Sequence, residues 1–80
     1  METKIALIGI IVENAASVDQ LNALLHDYAD SIIGRMGLPY GARKINIISI
    51  ALDAPTDVIE ALAAKICEIE GVSAKTVYSA

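Results

Sequence analysis

The apolar positions of this chain follow two different periods, and together they predict six secondary-structure elements. Unbroken runs of Ile, Leu and Val are typical of strands that are buried on both sides. Between two such runs, apolar side chains recur at steps of three and four residues, which predicts an amphipathic helix. The predicted elements, in chain order, are a strand at residues 5–12, a helix at 17–34, a short edge strand with a tight turn at 33–44, a strand at 44–53, a helix that opens at 54–57, and a strand at 72–79.

Local signals mark the ends of both predicted helices. Ser17, with Gln20 three residues later, predicts a capping box at the start of the first helix, and Gly34 is a natural stop. Pro55 suits the opening of the second helix, where Asp57 places a negative charge at the positive end of the helix dipole. Gly71 is the predicted stop of the second helix, so both helices have a signal at each end.

The order strand-helix-strand-strand-helix-strand predicts a ferredoxin-like βαββαβ sandwich of the α+β class. With right-handed crossovers, it gives a four-stranded antiparallel sheet with two helices on one face. A chain of 80 residues has room for one domain, covering residues 1–80.

Both long strands carry apolar side chains on their two faces. An antiparallel sheet that is covered on one side normally alternates apolar with polar residues, whereas Ile5, Leu7 and Ile11 lie opposite an equally apolar set. The chain is 55% hydrophobic, although a domain this small buries only about 60% of its unfolded surface. We therefore expect a homo-oligomer, a dimer or a dimer of dimers, built through sheet faces or edges. The alternative is a monomer that tolerates an apolar surface.

Charge and cysteine content exclude several classes of protein. The formal net charge of −4 argues against a basic nucleic-acid-binding surface, and one cysteine cannot form a disulfide scaffold within the chain. The apolar run at 5–12 lies between Glu2 and Glu13 and is shorter than the roughly 20 residues that span a bilayer. We expect a cytoplasmic protein without a membrane segment.

Residues suited to catalysis or metal binding are scarce. The chain has one His and one Cys, without the spacing of a zinc site and without a glycine-rich phosphate loop. His26 shares a helical row with Asn22 and Asp30, which is either a solvated face or part of a metal site shared between subunits. Tyr28 is predicted to lie in the core, and Cys67 to be a small, partly buried residue. We expect no enzyme activity, no cofactor and no metal site within one chain.

Charge placement singles out one segment. Residues 31–52 contain no acidic side chain but hold three of the six basic ones, among several glycines. Arginine can grip a carboxylate or phosphate with two hydrogen bonds. The predicted ligand- or partner-binding residues are Gly34, Arg35, Gly37, Tyr40, Arg43 and Lys44. The alternative is an ordinary hairpin whose charges protect an edge strand from aggregation.

Four segments carry a resemblance to a known family: IIGRMGLPY at 32–40, LDAPTD at 52–57, IGIIVE at 8–13 and GVSAK at 71–75. From about residue 4 to the end, the chain resembles the iron-only hydrogenase system regulator family. The resemblance implies a ferredoxin-like domain akin to ACT domains and to the C-terminal domain of the nickel-responsive repressor. Such domains associate through their sheets.

The same resemblance sets the functional expectation. It implies an effector-sensing regulatory domain, because ACT-type regulators often bind small effectors at subunit interfaces. The chain has no helix-turn-helix or ribbon-helix-helix segment, so direct DNA binding is not expected. One His and one Cys do not support the nickel site of the repressor.

Overall fold

Four antiparallel strands form one sheet in the order β2-β3-β1-β4. The computed structural model describes residues 2–79 and confirms the predicted ferredoxin-like α+β arrangement. Its elements are β1 (Lys4–Val12), α1 (Val18–Asp27), β2 (Ile32–Tyr40), β3 (Ile45–Ala54), α2 (Thr56–Cys67) and β4 (Val72–Tyr78), with short 3-10 turns at Ala15–Ser17 and Ala29–Ser31.

Strand register places alternate residues of β1 and β3 on the side of the sheet that the helices cover. Ile8 lies opposite Ile50, and Ile10 lies opposite Ile48, and all four side chains are buried. They pack against Leu21 and Leu25 of α1 and the inner face of α2. The buried α2-side residues are Ile59, Leu62, Ile66 and Ile69. The aliphatic core therefore lies wholly between the sheet and the two helices.

The first helix differs from its prediction at both ends. Ser17 makes no capping hydrogen bond; its hydroxyl instead donates to the backbone oxygen of Glu70 at 2.7 Å. The predicted capping box is therefore wrong, because a tertiary contact from the turn after α2 takes the serine side chain. The helix ends at Asp27, before the predicted stop at Gly34, because a 3-10 turn at Ala29–Ser31 and then β2 follow it.

The edge strand β2 is longer than the predicted short strand. It runs for nine residues through two glycines and Pro39, pairs with β3, and bulges between Ile32 and Gly34. Proline is tolerated in an edge strand because only one side of the strand has a partner. Pairing with the strongly apolar β3 thus extends a segment whose local composition favours turns.

Gly71 occupies the turn between α2 and β4 in the left-handed conformation, with φ of 74°. A Cβ atom added there would lie 2.7 Å from the Cβ atom of Asn14. We expect Gly71→Ala to lower the free energy of unfolding by about 2 kcal/mol, since the conformation alone costs about 1 kcal/mol and the contact adds to it. Denaturant unfolding measures the change.

The matched control for Gly71 is Gly41→Ala in the β2–β3 turn. A Cβ atom there meets nothing within 4 Å, and Gly41 has no positive φ. This variant is expected to change the free energy of unfolding by less than about 1 kcal/mol. Equal losses for the two variants would contradict the assigned role of Gly71.

Candidate functional site

The six predicted site residues divide between the two sides of the sheet and the end of the hairpin. Arg35 pairs with Ile50, and Gly37 pairs with Ile48, so both β2 residues face the helix side. Gly34 and Tyr40 belong to the opposite side, which neither of the two described helices covers. Adjacent residues of one strand therefore serve two different surfaces.

Arg43 and Lys44 lie in the turn that joins β2 to β3. The Lys44 amide donates to the backbone oxygen of Gly41 at 3.2 Å, and Lys44 adopts φ of 56°. Along the strand, Arg35 is five residue pairs from the base of this turn, about 17 Å at the usual rise per residue. The three basic side chains form two separate positive regions instead of one patch.

Arg35 closes a groove between α1 and the edge strand β2. Its Nη2 atom donates a 2.6 Å hydrogen bond to Oδ1 of Asn22, one turn before His26 on α1. The groove has a volume of about 370 Å³. Its lining residues are Asn22, Leu25, His26, Ala29, Ile32 and Arg35.

The groove brings together residues from two separate sequence predictions, the helical row of Asn22 and His26 and the basic segment that contains Arg35. The helical row of Asn22 and His26 does face outward, and it meets Arg35 of β2. Asp30, predicted on the same row, does not line the groove, because α1 ends at Asp27 and a 3-10 turn follows. Asn22 carried no sequence signal of its own beyond its spacing from His26.

A metal site that uses His26 finds no ligand set in the part of the chain that the structure describes. Among residues 2–79, no group of three or more His, Cys, Asp or Glu side chains is positioned to hold a metal ion. The metal hypothesis therefore stays a prediction that requires ligands from a second subunit.

Cys67 is exposed, with Sγ 3.9 Å from the backbone oxygen of Ala74, so its predicted partial burial is wrong. It is the last residue of α2 and is not among the buried residues of that helix.

Tyr28 packs partly buried against the core, and its hydroxyl reaches the second helix. Lys65 Nζ donates to the tyrosine oxygen at 3.0 Å and lies 5.3 Å from the ring centroid. The hydrogen bond to Tyr28, aided by charge interactions with Tyr28, Asp27 and Glu68, raises the pKa of Lys65 above its ordinary value. This contact joins the C-terminal parts of α1 and α2.

The Lys65 contact predicts a pH dependence in the alkaline range. Because folding raises the pKa of Lys65, its stabilising effect is complete below the ordinary lysine pKa and is lost as the pH rises through the raised value. We expect Tyr28→Phe to lower the pKa of Lys65. The free energy of unfolding of this variant is then expected to fall less steeply at alkaline pH. Heteronuclear NMR titration of the Lys65 side chain measures the pKa in the wild-type chain and in the variant. An unchanged Lys65 pKa in Tyr28→Phe would contradict the contact.

The side of the sheet opposite the helices is apolar and uncovered. We call it the open face; its large apolar side chains are between 38% and 69% exposed. They are Ile5, Leu7 and Ile11 of β1, Met36, Leu38 and Tyr40 of β2, Ile47 of β3 and Val77 of β4. At its centre, Gly9 leaves a hollow of about 480 Å³ beside Ile11, Ile47 and Lys75. The predicted two-sided apolar strands are therefore confirmed as a real surface.

No described helix is long and apolar enough to cross a membrane. Comparisons with known proteins identify both the family and the fold of the chain. The sequence profile of the TM1266-like family, described as "Iron-only hydrogenase system regulator, putative", matches residues 4–76. The solved structure of the uncharacterized protein TM1266 from Thermotoga maritima superposes with a TM-score of 0.94 and 32% sequence identity, covering 99% of this chain and 100% of that one. A comparison with curated proteins finds no match.

Proposed function

Because the chain belongs to the TM1266-like family of iron-only hydrogenase system regulators, we propose that it is a homo-oligomeric regulatory module and not an enzyme. Its subunits meet through the open face, as a dimer or a dimer of dimers. An anionic small molecule or a partner protein binds at Arg35 on β2. The observation that carries this proposal is the open face, which exposes apolar side chains from all four strands.

An apolar sheet face of this extent is unusual for a monomer. One side of an antiparallel sheet can face water when its residues are polar, but here the central strand presents Ile5, Leu7 and Ile11. Contiguous exposed apolar surface marks interaction sites in soluble proteins. A second copy supplies a surface of the same character, so a symmetric contact buries both at once.

The hollow at Gly9 supports close packing of a second subunit. A Cβ atom at this position would meet nothing within 4 Å, so the backbone of β1 is open to approach at Gly9. The neighbouring Ile11 and Ile47 form apolar walls that a partner side chain can contact. Interlocking of this kind gives the packing density of a protein interior.

The edge strand β2 connects the open face with the rest of the proposed site. Met36 and Leu38 lie on the open face, while Arg35 between Gly34 and Met36 faces the helix side. A ligand that fixes Arg35 therefore acts on the strand that also contributes to the subunit contact. Binding and assembly are then coupled, and each changes the affinity of the other by the same factor.

A thermal-shift screen tests the proposed function. An anionic effector at 100 times its dissociation constant stabilises the folded state by about 2.7 kcal/mol. We expect at least one carboxylate or phosphate compound to raise the Tm of the full chain, and Arg35→Ala to abolish that rise. A rise produced only by divalent metals and lost in His26→Ala would contradict this proposal and favour the metal-responsive alternative. Turnover of a compound by the purified chain would contradict the regulatory assignment.

We also propose that the module acts in the cytoplasm. Its one cysteine, Cys67, is an exposed free thiol. Thiols of this kind persist in reducing compartments. Cysteine-selective labelling of intact and lysed cells tests this location.

A further inference from the structure

We propose that the groove between α1 and β2 binds a small molecule that carries one carboxylate or phosphate group on a short aliphatic body. This inference rests on the proposed function and deepens it, because it assigns the effector to one groove and states its chemical class. It selects Arg35 from the predicted basic residues and separates it from Arg43 and Lys44.

The first step of the argument is the state of the Arg35 guanidinium. Its hydrogen-bond partner in the groove is Asn22, a neutral amide, so the contact orients the guanidinium without neutralising it. A guanidinium has five N–H donors, and one bond to an amide leaves others for a ligand. None of the six lining residues is acidic, although the whole chain has a net charge of −4. The groove is thus locally positive on an acidic protein.

The second step is the polar rim beside Arg35. His26 lies one helical turn beyond Asn22 and also lines the groove. Imidazole N–H and amide N–H groups both donate hydrogen bonds to anionic oxygens. Arg35, His26 and Asn22 therefore offer donors from two elements, a strand and a helix, to one bound group.

The third step is the apolar part of the groove, which specifies the rest of the ligand. Leu25 is buried at the floor, and Ile32 is half-buried at the start of β2. Ligand sites typically combine such apolar walls with a few placed polar groups, and their volumes begin at about 300 Å³. A groove of about 370 Å³ suits a small acid better than a peptide segment.

The fourth step is the room beside Arg35 along the strand. Gly37 follows two residues later on the same side of β2, and a Cβ atom there meets nothing within 4 Å. The ligand can therefore approach the guanidinium from this end without a steric barrier. The groove lies on the helix side of the sheet, so a subunit packed on the open face leaves it accessible.

The test is an NMR titration of the uniformly ¹⁵N-labelled full chain at constant ionic strength. The probes are butyrate, inorganic phosphate and the neutral isostere butyramide. We expect butyrate, phosphate or both to shift the amide signals of residues 22–35 in a saturable manner. Arg35→Gln is expected to weaken this binding at least tenfold. The matched control Arg43→Gln removes the same charge from the hairpin turn and is expected to change the affinity less than twofold.

The probes separate the two sources of anionic chemistry. Saturation by butyrate alone assigns a carboxylate ligand, and saturation by phosphate alone assigns a phosphate ligand. Equal binding of butyramide, an affinity unaffected by Arg35→Gln, or shifts that centre on the hairpin turn and disappear in Arg43→Gln would overturn the inference.

Light scattering on the same samples keeps the two proposals distinguishable. A monomer that still binds the anion in an Arg35-dependent manner would contradict the proposed assembly and support the groove. An oligomer without saturable anion binding would overturn the groove and leave the proposed assembly supported.

Discussion

Leu7→Lys is expected to dissociate the proposed oligomer into a monomer of 8.4 kDa. Leu7 lies on the central strand of the open face and is 49% exposed in the isolated chain. A lysine there is solvated in the monomer, but in the proposed assembly its ammonium group must lose water, which costs several kcal/mol. The far-ultraviolet circular dichroism spectrum is expected to stay native, while size-exclusion chromatography with light scattering reports the smaller mass.

The matched control for Leu7→Lys places the same charge on the helix layer instead of the sheet. Ala23 is an exposed residue of α1, so Ala23→Lys adds a lysine away from the open face and is expected to keep the parental mass. A second open-face variant, Ile47→Lys, is expected to behave like Leu7→Lys. If Leu7→Lys and Ile47→Lys both stay folded and keep the parental mass, the open face is not the subunit contact.

Ile50→Ala is expected to lower the free energy of unfolding by about 3 kcal/mol. Ile50 is fully buried at the centre of the core, opposite Ile8 of β1. Removal of its outer carbons loses their transfer free energy and leaves a cavity that a sheet cannot easily close. A chain of this length has a total stability of about 4 to 12 kcal/mol, so the loss is a large part of the whole. Urea unfolding at one fixed protein concentration measures it.

The comparison variant for Ile50 is Ile33→Ala in the bulge of β2. Ile33 is 63% exposed, so the same chemical truncation is expected to cost less than about 1 kcal/mol. The protein concentration is held equal because the stability of an oligomer depends on it. Similar losses at the two positions would contradict the placement of the core.

The periodic parts of the sequence predicted the fold, because the spacing of apolar residues determines which side chains share one face of a strand or helix. The alternation of Ile8 and Ile10 with Leu7 and Ile11 gives two faces in any strand geometry, and the structure places those faces as expected. The end of the second helical region was also predictable, because Gly71 adopts a conformation that other residues rarely take.

The parts that the sequence did not predict depend on partners that are distant along the chain. Ser17 donates to the backbone of Glu70, and a local capping rule has no access to a residue so far away. The length of β2 depends on pairing with β3, which overrides the turn tendency of Gly37 and Pro39. Long-range contacts of this kind decide an element's ends more often than its existence.

The candidate site shows the same division. Residue chemistry selected Arg35 as a candidate binding residue, and the structure places it at a groove. The same reasoning grouped Arg35 with Arg43 and Lys44 because they are close in sequence. Strand geometry separates them, since Arg35 lies about 17 Å along β2 from the hairpin turn. The true neighbour, Asn22, lies on another element and is recognisable only once α1 is packed beside β2.

Sedimentation equilibrium of the wild-type chain tests the central claim, that the open face is a subunit interface, most directly. Measured across micromolar concentrations, the mass is expected to fit a dimer or a tetramer of the 8.4 kDa chain, with dissociation only on strong dilution. A mass of 8.4 kDa throughout that range would contradict the account.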